Sequence, residues 1–383
     1  MPSRRMLSFF IFVFLFCGAA LRLDAQETRP AAAAPTPEPS PLQREEQEPL
    51  KVFTEEVRLP VVAFDDYGHF DPTLELDDIL VLEDGVSQQI RSIRHIPASV
   101  LLVLDVDNQI TLAKRTDTTR AIAARLLSHL RKGDEAAILQ FGNGVNLMQN
   151  WTGEFAGIPR LLRTKLYGGK RGRLSEAMVA AAELLKERPQ GTRHVVLITD
   201  GIETPGGRVA YSDAVRQLIA AQATVHVISY TRLVREAIAQ RGRGIFSRGS
   251  GRQQDPAIGA ANPSMPSEIN RSPSYTVMAI DTDRAMRRWY KKYAEGTKAN
   301  EQRLLALAEE TGGQIALPAS DEEMLAQGDL VARDIGAQYV VTYTPKRPLS
   351  SAKAGEYRRI EVAARKQGLR LRSRRGYIAG AGQ

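Results

Sequence analysis

The chain has 383 residues, of which 43% are apolar and 25% charged, a composition typical of globular proteins with room for two or three domains. Its net charge of +8 comes without any zinc, helix-turn-helix or RNA-binding signature, so the sequence predicts no nucleic-acid binding. Cys17 is the only cysteine, so the chain can form no internal disulfide. The residues after Cys17 offer no thiol for metal binding or nucleophilic catalysis.

The N-terminus has the pattern of a secretory leader. Two arginines precede the apolar block Met6–Ala20, and small and polar residues follow it around Ala25. This order predicts a signal peptide at residues 1–25 and an exported protein, periplasmic or extracellular, with no stable membrane span after cleavage. The alternative is an uncleaved N-terminal anchor, for which the block is short. Residues 26–50 are rich in Pro, Ala and Glu and predict a disordered linker.

Residues 51–97 show the alternation of short β-strands. Apolar and polar residues alternate in several short runs, which are divided by turn sequences such as Asp84-Gly85. This pattern predicts a small antiparallel β module.

Residues 98–344 predict an α/β fold with a doubly wound, mostly parallel sheet. The stretch Val100–Gln109 reads VLLVLDVDNQ, and its apolar run is typical of a strand buried on both faces. Strands then alternate with amphipathic helices, which is the order of a doubly wound sheet. The predicted elements are helix 113–130, strands 135–141 and 145–151, helices 155–166 and 174–188, strand 194–199, helix 211–221 and strand 224–230.

The remaining residues complete the predicted domain and add a β tail. Residues 231–298 are rich in Arg, Gly, Ser and Pro and predict a mobile basic insertion, with one short amphipathic candidate at 286–293. The C-terminal β tail is placed at 345–383, and the strands 338–344, 357–363 and 369–372 are expected to pair with the N-terminal β module. The elements predicted after the insertion are helix 301–310, strand 314–317, helix 321–335 and strands 338–344, 357–363 and 369–372.

Carboxylates follow two of the predicted core strands. Asp105 and Asp107 come after the first strand, and Asp200-Gly201 follows the strand 194–199. Ligands of open α/β sheets bind outside the carboxyl ends of the strands, where the helix N-termini point. The sequence therefore places the candidate site at this edge.

The strand pair with its aspartates resembles a von Willebrand factor type A domain, and the flanks resemble VWFA-related Acidobacterial domain proteins. The flanking likeness rests on V-F-x-x-E-V-R-L-P-V-V-A-F from Val52, on L-E-D-G-V from Leu82 and on L-A-E-E-T-G-G-Q from Leu307. It covers most of 52–379. The family's metal-ion-dependent adhesion site uses Asp-x-Ser-x-Ser after the first strand, a loop Thr, and Asp-Gly after the fourth strand.

Carried over residue by residue, this resemblance implies a degenerate metal site. Asp105 matches the first Asp and Asp200 the last, whereas Asp107 and Gln109 stand where the two serines belong. The loop Thr falls near Gly172, which has no side-chain oxygen.

Three interpretations of this site remain open. Asp105, Asp107, Gln109 and Asp200 can still hold a Mg²⁺ ion, which prefers oxygen ligands. Alternatively, Lys170, Arg171 and Arg173 replace the metal by pairing with the carboxylates, and we favour this interpretation because cations were gained where a ligand was lost. The third interpretation makes Asp105 and Asp200 strand-end caps only.

The sequence offers no catalytic constellation. Its five histidines are scattered, and no serine lies in a nucleophile elbow, so we predict that the protein is not an enzyme. Our leading hypothesis is an exported module that binds a protein partner, or adheres, through the C-terminal edge of its sheet. A cell-envelope scaffold without metal or ligand is the second hypothesis, and Mg-dependent adhesion is the third.

Overall fold

The computed structural model describes residues 55–106, 116–166, 168–243 and 284–380. The chain divides into two units, Met1–Val52 and Phe53–Gln383, and every described residue belongs to the second. The predicted signal peptide 1–25 and linker 26–50 lie outside the described residues, as do Asp107 and Gln109.

The described residues form fourteen strands, seven α-helices and one 3-10 helix, Leu76–Asp78. In chain order the strands are β1 (Val57–Phe64), β2 (Ile79–Glu83), β3 (Val86–Ser87), β4 (Ile90–Arg94), β5 (Ser99–Asp105), β6 (Glu135–Phe141), β7 (Val145–Thr152), β8 (Arg193–Thr199), β9 (Thr224–Ser229), β10 (Ile315–Ala316), β11 (Gln338–Tyr343), β12 (Tyr357–Ala364), β13 (Arg370–Ser373) and β14 (Gly376–Ile378). The helices are α1 (Thr116–Ser128), α2 (Ile158–Lys165), α3 (Leu174–Lys186), α4 (Tyr211–Ala220), α5 (Thr231–Arg243), α6 (Arg284–Thr311) and α7 (Asp321–Gly336). No helix in these described ranges is long and apolar enough to cross a membrane.

A six-stranded sheet in the order β10-β9-β8-β5-β6-β7 forms the centre of the fold. All its pairs are parallel except β6 with β7, which form the antiparallel edge that the sequence predicts. Every residue of β5, β8 and β9 is buried, which explains the apolar runs of β5 and of the centre of β8. The α/β, doubly wound fold predicted from the sequence is therefore confirmed.

Helices cover both faces of the sheet, and successive side chains of β5 point alternately to one face and the other. Val100, Leu102 and Leu104 pack with residues of α1, α2 and α7. Leu101 and Val103 pack on the other face with residues of α3, α4 and α6. Because side chains alternate along a strand, the residues of this one apolar run belong to two separate hydrophobic cores.

The two ends of the described chain together build the β module. Strand β1 lies between β11 and β13, and strand β2 lies between β12 and β3, always in antiparallel pairing. The pairing of tail strands with N-terminal strands is therefore as the sequence predicts. Strand β11 corresponds to the predicted strand 338–344 and pairs with β1 and β4, as expected from the sequence, while the predicted domain boundary at residue 344 lies after it.

The β module is attached at the N-terminal edge of the central sheet. The Gln338 side-chain amide, at the start of β11, donates to the Gly191 carbonyl just before β8, at 2.9 Å. Arg374 Nη1, just after β13, donates to Gln222 Oε1 just before β9, at 3.0 Å. These contacts occupy the edge opposite to the one where Asp105 and Asp200 lie.

The predicted insertion at 231–298 requires a correction. Its two ends form helices, because α5 covers 231–243 and α6 begins at 284 and continues through the predicted helix 301–310. The short amphipathic candidate at 286–293 is part of this one long helix. Residues 244–283 lie outside the described residues.

Candidate functional site

Asp105 and Asp200 lie at the carboxyl ends of the two central parallel strands. The register pairs Leu104 of β5 with Ile198 of β8, so Asp105 is level with Thr199, and Asp200 is the next residue. Both aspartates are buried, with 1% and 2% of their surfaces exposed. The structure thus brings together the two residues that match the family motif outright.

Hydrogen bonds from the chain itself hold both carboxylates. Thr199 Oγ1 donates to Asp105 Oδ2 at 2.7 Å and accepts from the Gly201 amide at 3.0 Å. The Ile202 amide donates to Asp200 Oδ1 at 3.0 Å. Buried carboxylates need such donors because their desolvation is otherwise costly.

The long helix α6 lies over the end of β8. Tyr293 donates its hydroxyl to Asp200 Oδ2 at 3.1 Å. Gly201 has φ +73°, and a Cβ there would approach Leu304 Cδ1 of α6 to 2.9 Å, so the turn requires glycine for both its conformation and the helix contact. Glu301 of the same helix accepts bonds from Thr231 Oγ1 at 3.2 Å and from Arg235 Nη1 of α5. The two helices are therefore fixed to each other and to the edge.

The loop before α3 is joined to the loop after Asp200. The Gly172 amide donates to Thr204 Oγ1 at 2.8 Å, and the Thr204 amide donates back to the Gly172 carbonyl at 3.0 Å. The amide and hydroxyl of Ser175 donate to Glu203 Oε2 at 2.8 and 2.9 Å. A carboxylate at this helix N-terminus is also favoured by the helix dipole. These bonds make the two loops one rigid surface.

The basic loop reaches the same edge of the sheet. The Gly169 amide donates to the Val106 carbonyl directly after Asp105, at 2.6 Å, and the Lys170 amide donates to Asn143 Oδ1 at 2.8 Å. The side chains of Lys170 and Arg171 are exposed. Arg173 is only 8% exposed, and its Nη1 donates to the Thr204 carbonyl at 3.4 Å. Charge neutralisation of the aspartates by this loop stays a prediction.

Of the four candidate metal ligands, the described residues include only Asp105 and Asp200, and the oxygens of both accept hydrogen bonds from the protein. Mg²⁺ needs near-octahedral oxygen ligands, whereas Asp105 Oδ2 and both oxygens of Asp200 accept hydrogen bonds from the protein. The loop position of the family's Thr is Gly172. Within the described ranges, no group of three or more His, Cys, Asp or Glu is arranged to hold a metal ion.

Sequence reasoning missed four polar residues of this edge: Thr199, Glu203, Thr204 and Tyr293. Thr199 directly precedes the recognised Asp200, so its side-chain role was within reach of the strand-end argument. Tyr293 was noted only within an amphipathic stretch, and its contact with Asp200 spans 93 residues. No local signal reports a contact of that range.

The doubly wound sheet, with paired aspartates at the carboxyl ends of adjacent parallel strands, defines a von Willebrand factor type A fold. Residues 100–203 match the sequence model of the family described as von Willebrand factor type A domain. The match confirms, over this range, the resemblance to a von Willebrand factor type A domain.

Three solved structures illustrate what the chain is similar to. An aerotolerance-related membrane protein from Bacteroides fragilis is 20% identical over 34% of this chain and 67% of its own, with a TM-score of 0.30. BatB from Bacteroides thetaiotaomicron is 21% identical over 34% of this chain and 66% of its own, with a TM-score of 0.28. A von Willebrand factor type A protein from Catenulispora acidiphila is 10% identical over 81% of this chain and 75% of its own, with a TM-score of 0.41. No curated protein matches the chain in sequence.

Proposed function

We propose that the protein is an exported, non-enzymatic module that binds a protein partner, and no nucleic acid, through the C-terminal edge of its central sheet. The observation that carries this proposal is the placement of the β module. The module packs against the N-terminal edge through Gln338 and Arg374, so the opposite edge faces away from it. Ligands of open α/β sheets bind at that opposite edge.

The fixed loops of this edge support binding. Gly172, Thr204, Ser175 and Glu203 form a hydrogen-bonded surface, and α6 is fixed to Asp200 by Tyr293. A surface that is ordered before binding loses little conformational entropy when a partner arrives. The edge is therefore suited to recognition without first closing around a ligand.

Site-specific photo-crosslinking tests the proposed contact surface. A benzoylphenylalanine at Pro205, which is exposed in the loop after Asp200, is expected to give a discrete crosslinked product in the cell envelope or medium. The matched control is the same group at Tyr67, which is 87% exposed on the β module and should give none. Mass spectrometry then identifies the partner and the N-terminus of the captured chain, expected after Ala25.

The opposite results are informative as well. A product from the Tyr67 position alone, or from neither position, contradicts the edge as contact surface and favours the envelope-scaffold hypothesis. A captured chain that begins at Met1 contradicts cleavage of the leader.

We also propose that no divalent cation is resident at Asp105 and Asp200. Millimolar Mg²⁺ is then expected to leave the melting temperature of chelator-treated protein unchanged, because the protein's own donors already satisfy the carboxylates. A cation that binds only the folded state at a hundred times its Kd stabilises it by about 2.7 kcal/mol, which differential scanning fluorimetry detects.

The control variant for this measurement is Asp105→Asn. A saturable rise of the melting temperature with Mg²⁺ in the wild type, absent from the variant, contradicts the proposal. It would support Mg-dependent adhesion and a metal site completed by Asp107 and Gln109.

A further inference from the structure

Two of the chain's basic segments are 160–173 and 284–298. The first has six basic residues and no acidic one, and the second has six basic residues and one acidic, Glu295. Without these 12 basic and one acidic residues, the chain's 52 basic and 44 acidic residues become 40 and 43. The two segments together contribute a charge of +11, and residues 365–375 of the β module form a further segment with six basic residues and no acidic one.

The fold brings both segments to the same edge of the central sheet. The first segment meets the end of β5, where the Gly169 amide donates to the Val106 carbonyl at 2.6 Å. The second meets the end of β8, where the Tyr293 hydroxyl donates to Asp200 Oδ2 at 3.1 Å. Strands β5 and β8 are hydrogen-bonded neighbours. Segments more than a hundred residues apart therefore flank the same pair of aspartates.

The charges of both segments include side chains that face solvent. On α6, Tyr293 points to the site and Thr297 and Asn300 are buried, so one face of the helix packs on the protein. Other side chains of that segment and of the basic loop are exposed. We call five of them the basic collar: Lys170, Arg171, Arg288, Lys291 and Lys292.

We propose that the basic collar binds an acidic segment of the partner protein. This inference rests on the proposed function, because the collar lies on the edge that we assign to the partner. Arg and Lys side chains form charge-assisted hydrogen bonds with carboxylates, and Arg can do so with both of its parallel N–H groups. The aspartates beneath are already hydrogen-bonded within the protein.

Binding of a defined acidic probe tests the inference. A fluorescein-labelled peptide of ten glutamates is titrated with the full chain at low salt, and fluorescence anisotropy gives its Kd. The double variant Lys291→Glu, Lys292→Glu and the variant Arg171→Glu are expected to weaken binding by about tenfold or more, since each exposed attraction becomes a repulsion. The matched control is Lys353→Glu, Arg365→Glu, which makes the same charge change at exposed positions of the β module. It should bind like the wild type.

Three outcomes overturn the inference. One is that the wild type does not bind the peptide. Another is that the control variant weakens binding as much as the collar variants, which would make the binding a property of net charge alone. The third is that the chain prefers phosphatidylglycerol vesicles to the peptide, with the collar variants losing vesicle binding, which would assign the collar to an anionic membrane.

The crosslink at Pro205 separates this inference from the proposed function. If the crosslinked product forms equally in Lys291→Glu, Lys292→Glu, the edge remains the contact surface and the acidic-partner inference is wrong. If the product disappears in this variant and persists in Lys353→Glu, Arg365→Glu, the collar itself recognises the partner.

Discussion

Replacement of Arg358 by methionine is expected to destabilise the fold by about 3–5 kcal/mol, because it leaves the Glu83 carboxylate buried without its counter-ion. The Arg358 and Glu83 side chains are 0% and 2% exposed, and Nη1 lies 3.0 Å from Oε1. The guanidinium also donates to the carbonyls of Arg347 and Pro348. One side chain thus joins β12, β2 and the loop after β11.

The neighbouring arginine provides the control for this measurement. Arg359 pairs with Glu361 on the surface, where both side chains are largely exposed, and Arg359→Met should cost at most about 1 kcal/mol. Urea denaturation followed by circular dichroism gives the free energies of unfolding. The double variant Glu83→Gln, Arg358→Met should recover part of the loss, because Gln still accepts from the Tyr343 hydroxyl without a buried charge. Equal effects of Arg358→Met and Arg359→Met would contradict the buried ion pair.

Acid is expected to destabilise the protein through two buried histidines. His194 Nδ1 lies 3.3 Å from His226 Nε2, and His226 Nδ1 lies 3.4 Å from Asp334 Oδ2, which also accepts from Arg372. Burial is the main cause that lowers the pKa of both histidines from 6.5 to about 3; the Arg372 charge adds to it for both, and the His226 charge adds to it for His194. The charge of Asp334 raises the pKa of His194, but this offsets only part of the lowering.

The sign of the effect follows from the proton balance. Between pH 6.5 and about 3 the unfolded chain binds protons on these histidines and the folded chain does not. The free energy of unfolding therefore falls as the pH falls through this range, by about 1.4 kcal/mol per pH unit for each histidine. Above pH 6.5 the contribution of the two neutral histidines to the free energy of unfolding is fully present.

Urea denaturation at several pH values between 4.5 and 7 measures this slope. His226→Asn removes one titrating group, and the slope should decrease by about 1.4 kcal/mol per pH unit. The control is Val86→Asn, a polar substitution at a position that is 48% exposed and carries no titratable group, and its slope should match the wild type. An unchanged slope in His226→Asn would show that the buried pair does not drive acid unfolding.

The sequence predicted the central sheet well because burial on both faces leaves a direct record in composition. All seven residues of β5 are buried, and six apolar or small residues precede Asp105. It failed to join the two predicted pieces of α6 because two buried residues between them, Thr297 and Asn300, are polar. Thr297 is 1% exposed and Asn300 8%, so the helix packs without the apolar periodicity by which helices are recognised.

The candidate site divides in the same way. Asp105 and Asp200 were predictable because each follows a buried strand, and the carboxyl ends of neighbouring parallel strands must meet. The bond from Ser175 to Glu203 was not predictable, because it joins two loops 28 residues apart whose approach depends on the packing of α3. The two basic segments are visible in the sequence. Their common position at one edge of the sheet is not, because it depends on the order of the strands.

The β module, which is built from strands of both ends of the described chain, determines the order in which the chain can fold. Val57 pairs with Tyr343, so strand β1 has no partner until almost the entire chain is available. Closing a loop of that length costs about 5 kcal/mol of chain entropy if nothing shortens it. A central domain that folds first places Ser99 and Gln338 near the same edge and removes most of that cost. The module is thus the last part to form, and a nascent chain stopped before residue 338 keeps β1 as an unpaired, aggregation-prone strand.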